Sequence, residues 1–498
     1  MISSSDYATI PVSSLPQFPE KIGLLTIGVV DEIRAFRTDL SSLYNEWVEP
    51  RVSGNGWLKK LSGNGDIILW LSLIKRPTRR RVMAIPAEII NTVTYQLPDL
   101  KITNALLISE EDVSIPNIPE EANAQGTTIE ALDKVESGSK DIVIINRLSA
   151  GEKNQPNLDK IMKNTLRILK NEGVAVAYED FDEITHSEVA SLSTLFDTFE
   201  NKEGENTSSF KLLAMNQTSE ETTEGVYWIM IKHTAIGDEN LVFRSFLDRT
   251  QYVPQNVEAY EWIFGKEFLS PGGVNMNRRV FSQFDDLEEG KKMLDIGSGL
   301  GGSVRQVARD VGLKVTACDI SANMMALAIL RHRQRPVDGI TYMLADVMRY
   351  QFKPESFDYV YTKDCIHHIF DLDSLLRKIR EILKPGGQLI ITMYGRGYGP
   401  FTEEFKQFVS SRRYHLNTVE EMEQRAKNAG FSEVEAENIT PIFKQCLEKE
   451  LKRAVDHKDE FLKRFPEDKY NGLVDGWRQK LEFIKADNHN WLKIKCTK

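Results

Sequence analysis

One run constrains this chain more than any other: KKMLDIGSGLGGS at 291–303. Met293, Leu294 and Ile296 make a short apolar strand with Asp295 inside it, and Gly297, Gly299, Gly301 and Gly302 follow. A backbone turns this sharply out of a buried strand, and lets a ligand come this close, only where side chains are missing. A helix opens at Ser303 (SVRQVARDVG), and two further apolar strands end in acids. KVTACDI (314–320) ends at Asp319, 24 residues after Asp295, and YMLADV (342–347) carries Asp346. Strand, glycine turn, helix and strand repeated in this way predict a parallel α/β sheet with its ligand at the carboxyl ends of the strands.

Dehydrogenases share the first two elements but hold a pyrophosphate. An acid at the end of the second strand suits two ribose hydroxyls, and one at the end of the third suits the exocyclic amine of adenine. With FDYVYTKDCIHHI (357–369) close behind, the pattern favours S-adenosylmethionine, which has no phosphate. The expected fold is therefore a Rossmann-like class I S-adenosylmethionine methyltransferase domain at the C-terminus.

A chain of 498 residues is too long for one ordinary core. Its first half carries a related pattern. DIVIINRLS (141–149), LDKIMKNTLRILKNEG (158–173) and VAVAYED (174–180) run parallel to FDYVYT (357–362), LDSLLRKIREILKPGG (372–387) and QLIITMY (388–394). The two sixteen-residue helical segments align without a gap and share Leu158/Leu372, Asp159/Asp373, Ile168/Ile382, Leu169/Leu383, Lys170/Lys384 and Gly173/Gly387. Each glycine is expected to close its helix. The pattern predicts two copies of one βαβ unit. The stretch of the first half expected to match the glycine loop, RRVMAIPAEIIN (80–91), has no glycine. The first domain thus reads as a degenerate α/β methyltransferase-like domain. The expected organisation is a loose tail over 1–20, the non-catalytic domain over 21–240, and the catalytic domain over 241–498, with surface loops at 149–157 and 201–225.

The net charge of −10 argues against a nucleic-acid binder, and RPTRRR at 76–81 reads as a solvated turn. No apolar run reaches 18 residues and the first twenty lack a secretory pattern, so no membrane partner is expected. Four cysteines without CxxC spacing give neither a metal site nor a disulfide framework, and reduced thiols suggest the cytoplasm. A monomer is expected.

The second half also resembles the phosphoethanolamine N-methyltransferases. The resemblance is carried by TQYVPQNVEAYEWIFGKEFLSPGG (250–273), LDIGSGLGG (294–302), YTKDCIHHI (361–369), FKQFVSSRRYHLNTVEE (405–421) and DGWRQK (475–480). An eroded first domain before an intact second resembles the nematode-type form of the family whose active domain is C-terminal. The resemblance implies methylation of the mono- and dimethyl phosphobases to phosphocholine. It implies Tyr252, His368 and Asp364 as catalytic residues, and Gln251, Tyr260, Ser270, Asp295, Gly297, Gly299, Asp319, Ile320, Asp346, Val347 and Lys363 as cofactor contacts. It implies Tyr252, Asp364, Tyr394, Phe408, Arg412, Tyr414 and Lys480 as contacts to a small phosphobase. Members of the family often carry tyrosine where this chain has Phe408.

These residue types suit the chemistry. Methyl transfer from a sulfonium to an amine needs alignment and the removal of one proton, and histidine titrates near neutrality. Asp364 and His368, four residues apart, would share a face if KDCIHHI is helical. Arg412 offers a paired fork to phosphate, Lys480 a mobile point charge, and Tyr394 a ring for the ammonium. His367 is expected to be incidental. The residues leave open a site that also accepts phosphoethanolamine, a sterol or lipid headgroup acceptor, and a cofactor-binding pseudoenzyme.

Overall fold

A computed structural model describes residues 85–498 apart from 111–112, 114, 148–154, 182–183, 204–205, 219–224 and 234–238. The described residues belong to one compact unit, Val82–Lys498. The expected tail at 1–20 and the basic turn at 76–81 lie outside them. Among them, no helix is long and apolar enough to cross a membrane.

The second half builds its sheet from β8 (Lys292–Ile296), β9 (Lys314–Asp319), β10 (Ile340–Ala345), β11 (Phe357–Lys363), β12 (Leu383–Arg396), β13 (Ser432–Asn438) and β14 (His489–Thr497). Their order across the sheet is β13-β14-β12-β11-β8-β9-β10, with β8 to β12 parallel and β14 antiparallel to β12. Strands buried on both faces need continuous apolar runs. Met293, Leu294, Val360, Leu389, Ile390 and Ile391 supply them and are fully enclosed.

The first half repeats the layout with β1 (Asn104–Ile108), β2 (Asn123–Thr127), β3 (Lys140–Asn146), β4 (Leu169–Asp180), β6 (Asn206–Gln217) and β7 (Gly225–His233), a short β5 (Glu200–Glu203) pairing with β6. Their order is β6-β7-β4-β3-β1-β2, and β6 pairs antiparallel with β10, so one sheet runs through both halves. Gln96 and Gln351 add reciprocal side-chain to backbone bonds across the same junction.

The duplicated unit is borne out in register. β3 against β4 shifts between Lys140 and Ile142, and β11 against β12 shifts at the matching place, between Phe357 and Tyr359. Lys170 Nζ bonds Asp141 at 2.5 Å, and its counterpart Lys384 Nζ bonds Asp358 at 2.8 Å. Both acids also accept the amide that opens strand one of their copy, Asn104 and Lys292.

Three expectations need correction. Residues 87–96 form a helix, not the eroded counterpart of the glycine turn. The register places that counterpart at the end of β1, where Ser109 stands for Gly297. Second, the matched helices end at Ile168 and Ile382, before Gly173 and Gly387. Those glycines sit inside strands, where a Cβ would lie 2.9 Å from the carbonyl of Lys170 or Lys384. Space, not a left-handed backbone, excludes a side chain there. Third, the stretches taken as loops hold structure: the helix Gln155–Ile168 begins within 149–157, and β5 and β6 run through 201–225. The polar residues Asn206 to Ser209 and Asn216 concealed a strand whose centre is apolar.

Candidate active site

The tips of β8, β9, β10 and β11 converge as the glycine pattern requires. Gly297 has φ 81°, and a Cβ on it would lie 2.4 Å from Cys365 Sγ, so the turn after β8 is pressed against the segment after β11. Gly299 has φ 54° and donates its amide to Asp319 Oδ2 at 2.8 Å. Asp319 Oδ1 accepts from Ser321, and burial pushes its carboxyl up to about 6. Asp295, wholly enclosed and next to Asp319, is held well above the usual carboxylate range by burial. Asp346 begins the turn after β10 and accepts the Met348 amide, with Val347 buried beside it. Lys363, at the end of β11, hydrogen-bonds the Ser270 hydroxyl and pairs with Asp364 at 3.2 Å. Tyr260 lies tilted against Phe264.

Asp295 Oδ1, Ser298 Oγ and Gln251 Nε2 are buried with no hydrogen-bond partner. Unpaired buried polar groups are costly, and Asp295 and Ser298, in and just after β8, mark a place built for a polar ligand. Asp248, on the helix Glu239–Thr250, braces the rim by accepting from Ser321 and from the Ala322 and Asn323 amides. Arg244 on that helix pairs with Asp197 at 2.6 Å and donates to the Ile320 carbonyl at 2.9 Å, with both ionic side chains 7% exposed. Ser298, Asp248, Arg244 and Asp197 escaped the sequence reading because the partners that give them meaning are distant in the chain.

Beyond the tips lies a cluster of rings. Tyr414 is its hub: its ring centroid is 4.6 Å from that of His367, 5.0 Å from His368, 5.9 Å from Tyr394 and 5.8 Å from Phe408. Burial raises the Tyr414 phenol to about 12 and Tyr252 well above its ordinary value, so both stay protonated. Burial pushes His368 down to about 4, and the nearby Arg413 backbone only partly opposes it. Its Nδ1 is buried without a partner, and Phe243 packs 5.3 Å from its ring.

The expected helical pairing of Asp364 with His368 does not occur. Asp364 takes φ 54° and is followed by a single 3₁₀ turn, Ile366–His368. Its carboxylate instead accepts from Trp491 Nε1 at 2.6 Å, Thr392 Oγ1 at 3.3 Å and Lys363. No hydrogen bond joins Tyr252 to His368 among the described residues; the phenol of Tyr414 stands near both. His367, expected to be incidental to the chemistry, packs in the core. It is 1% exposed, its Nδ1 accepts the Tyr394 amide at 3.4 Å, and its carbonyl accepts the His415 amide.

Two cations face the rings. Arg412 lies 5.9 Å over Phe408, and Lys480 Nζ is 6.0 Å from the Tyr394 ring and 5.3 Å from Trp477. Neither makes a hydrogen bond or ion pair among the described residues. Burial, then the charge of Arg412, lowers Lys480 to about 8. Glu450 is committed to the Gly272 amide and Trp477 Nε1. Two cations held close without a paired carboxylate create a field suited to an anion.

Comparison with known proteins agrees with this arrangement. Residues 83–236 match the family described as phosphoethanolamine N-methyltransferase 2 N-terminal, and residues 294–391 match a methyltransferase domain. Phosphoethanolamine N-methyltransferase 2 of Caenorhabditis elegans is 36% identical over 375 residues, 73% of this chain and 85% of the relative. The enzyme of Plasmodium falciparum is 34% identical over 51% of this chain and 96% of its own length. Phosphoethanolamine N-methyltransferase 2 of Haemonchus contortus, solved with phosphomonomethylethanolamine and S-adenosylhomocysteine, superposes with a TM-score of 0.78 at 35% identity, covering 84% of this chain and all of that one. With both halves matched in one relative, the chain belongs to the phosphoethanolamine N-methyltransferases.

Proposed function

We propose that this protein transfers methyl groups from S-adenosylmethionine to phospho-monomethylethanolamine and phospho-dimethylethanolamine, giving phosphocholine, and that residues 241–498 do the chemistry while residues 21–240 are non-catalytic. The observation that carries the reading is the pair of unpartnered cations, Arg412 and Lys480, over the Phe408 and Tyr394 rings of the cluster that also holds Tyr414 and His368. A phosphobase has a matching shape, with an anion at one end and an ammonium at the other.

S-adenosylmethionine, when bound, supplies an already activated methyl group. Asp295, Ser298, Gln251, Asp319 and Asp346 are the groups to hold it, with Lys363 and Ser270 at the near edge. The chain's own work is to align the nitrogen and free its lone pair. Asp364, fixed by Trp491, Thr392 and Lys363, presents a rigid carboxylate to the substrate ammonium. His368 is neutral at physiological pH, so it does not repel that ammonium. Its Nδ1 is buried without a partner and is free to accept the departing proton. Tyr252 contributes a neutral phenol at the same wall. The Tyr394 ring offers a methylated ammonium a cation–π contact of about 0.5–2 kcal/mol.

The test is direct. Phosphoethanolamine and its mono- and dimethyl forms are offered separately to the full chain with labelled donor. Label is expected in the products of the last two only. Label entering phosphoethanolamine would overturn the assignment of steps, and label in none would overturn the reading.

A further inference from the structure

His489 opens β14, and no motif marks it. Its side chain is enclosed in the ring cluster, with centroids 5.0 Å from Tyr394, 5.4 Å from Phe443, 5.9 Å from Phe405 and 5.7 Å from Phe408. The residue is fully buried, yet Nδ1 and Nε2 both lack a hydrogen-bond partner. The Gly395 carbonyl comes near enough to favour a ring proton but falls outside bonding geometry. A core imidazole with two idle nitrogens is expensive, and folds retain one where something else pairs it.

The neighbours say what that is. Tyr394 and Phe408, two of the four rings that contact His489, are also rings that Lys480 and Arg412 face. The backbone at this point is rigid. Asn488 donates to Pro400 and Ala486 and accepts the Thr402 amide, which pins the turn into β14. His489 is therefore held among the same groups as the two unpaired cations.

We propose that His489 is a further ligand of the phosphobase phosphate, donating a ring N–H in place of the tyrosine hydroxyl that is missing at Phe408. This rests on the phosphobase reading above. Arg412 and Lys480 already match the charge of a phosphate dianion, so what the pocket lacks is a neutral donor. His489 meets that need, because burial and the charge of Lys480 hold it at about 3, uncharged at physiological pH. A neutral N–H adds a hydrogen bond and no surplus charge.

The experiment is a double-mutant cycle on the full chain, with the KM for phospho-dimethylethanolamine and donor affinity read together. H489A is expected to raise that KM about tenfold while donor affinity stays within about twofold. H489Q, which keeps an N–H donor, recovers part of the loss. F408Y lowers the KM of H489A by more than it lowers that of the wild type, because the restored hydroxyl has a role to fill. If H489A leaves the KM unchanged, or weakens donor and phosphobase together with no rescue by F408Y or H489Q, His489 is a packing residue and the proposal fails. R412A is measured alongside: a KM unmoved in that variant too would count against the phosphobase reading itself.

Discussion

The two halves of the sheet are the same unit carried to two ends. Asp141 and Lys170 repeat Asp358 and Lys384, and Gly173 repeats the crowded place of Gly387. Even the left-handed residue after β3 and β11 is kept. Arg147 has φ 58° where Asp364 has 54°, and each donates its amide to the matching strand, to Tyr178 or to Thr392, at 2.8 Å. The differences, among the described residues, lie in the side chains at the strand ends and in the glycine turn and helix that only the second copy has. Where the second half has the carboxylate of Asp364, the first has the arginine of Arg147. Where the second has Gly297, the first has Ser109, and Glu110 beyond it is spent on the Ile129 amide. The scaffold survived because it is held by packing and by the Asp–Lys pair, neither of which needs the ligand. We propose that the chemistry was lost from the first copy because it needed a few side chains that packing does not require.

The sharpest way to break this comparison is at the base. H368A is expected to lower kcat about 10²–10⁴-fold, the usual contribution of general base catalysis. R147D, which restores the acid in the first copy, should change kcat less than about twofold, since the glycine turn and the helix after it are missing there. Steady-state rates on the two full-length variants decide the matter. Equal losses would mean that the halves share the catalytic work.

Next in size is the glycine turn. G297A forces a side chain against Cys365 at a positive φ, and donor affinity should fall about a hundredfold or more. Calorimetry on the wild-type chain should find one donor per chain. Two equivalents would show that the first half binds as well.

The difference also explains what could be read beforehand. LDIGSGLGG and the acids at 319 and 346 were legible because strand, turn and helix are written in consecutive residues. The βαβ copy was legible for the same reason. The eroded turn was misplaced because, once its glycines are gone, NALLISEE at 104–111 looks like any strand end. Partnerships across the fold were not legible at all. Trp491 reaches Asp364 over 127 positions, and Arg244 reaches Asp197 over 47. No spacing rule connects such pairs. Helical spacing also misled at Asp364 and His368, where a left-handed residue breaks the helix before it starts.

A smaller effect separates the halves by pH. Lys480 belongs to the second half alone, and burial lowers it to about 8. It carries its charge below that value and loses it as pH rises through it. The KM for the phosphobase should therefore climb above about pH 8, by about tenfold per unit until the bound phosphate's own pull on the proton offsets it. Donor affinity should not follow, because Lys480 faces the Tyr394 and Trp477 rings, which are not among the groups assigned to the donor. K480R, whose charge does not titrate in this range, should flatten the rise. A profile unchanged by K480R would assign the titration to another group.

The smallest effect tests the duplication itself. Lys170 and Lys384 are each 42% exposed, and their acid partners are 10% and 17% exposed. Pairs so open to water contribute about 0–1 kcal/mol each. The acids behave alike: hydrogen bonds from lysine and from the amide of strand one hold both carboxyls below their ordinary value, against the opposing pull of burial. K170A and K384A should therefore cost the same within about 0.5 kcal/mol, and denaturant titration of each variant can resolve that. The sign with pH follows from the lowered carboxyls. Whatever the pairs contribute is present above the unfolded carboxylate range and is lost as pH falls through the folded value. Both variants should converge on the wild type in acid. If K384A were the more costly by several-fold, the second copy would depend on its ligand end for stability as well as for chemistry, and the halves would not be equivalent scaffolds.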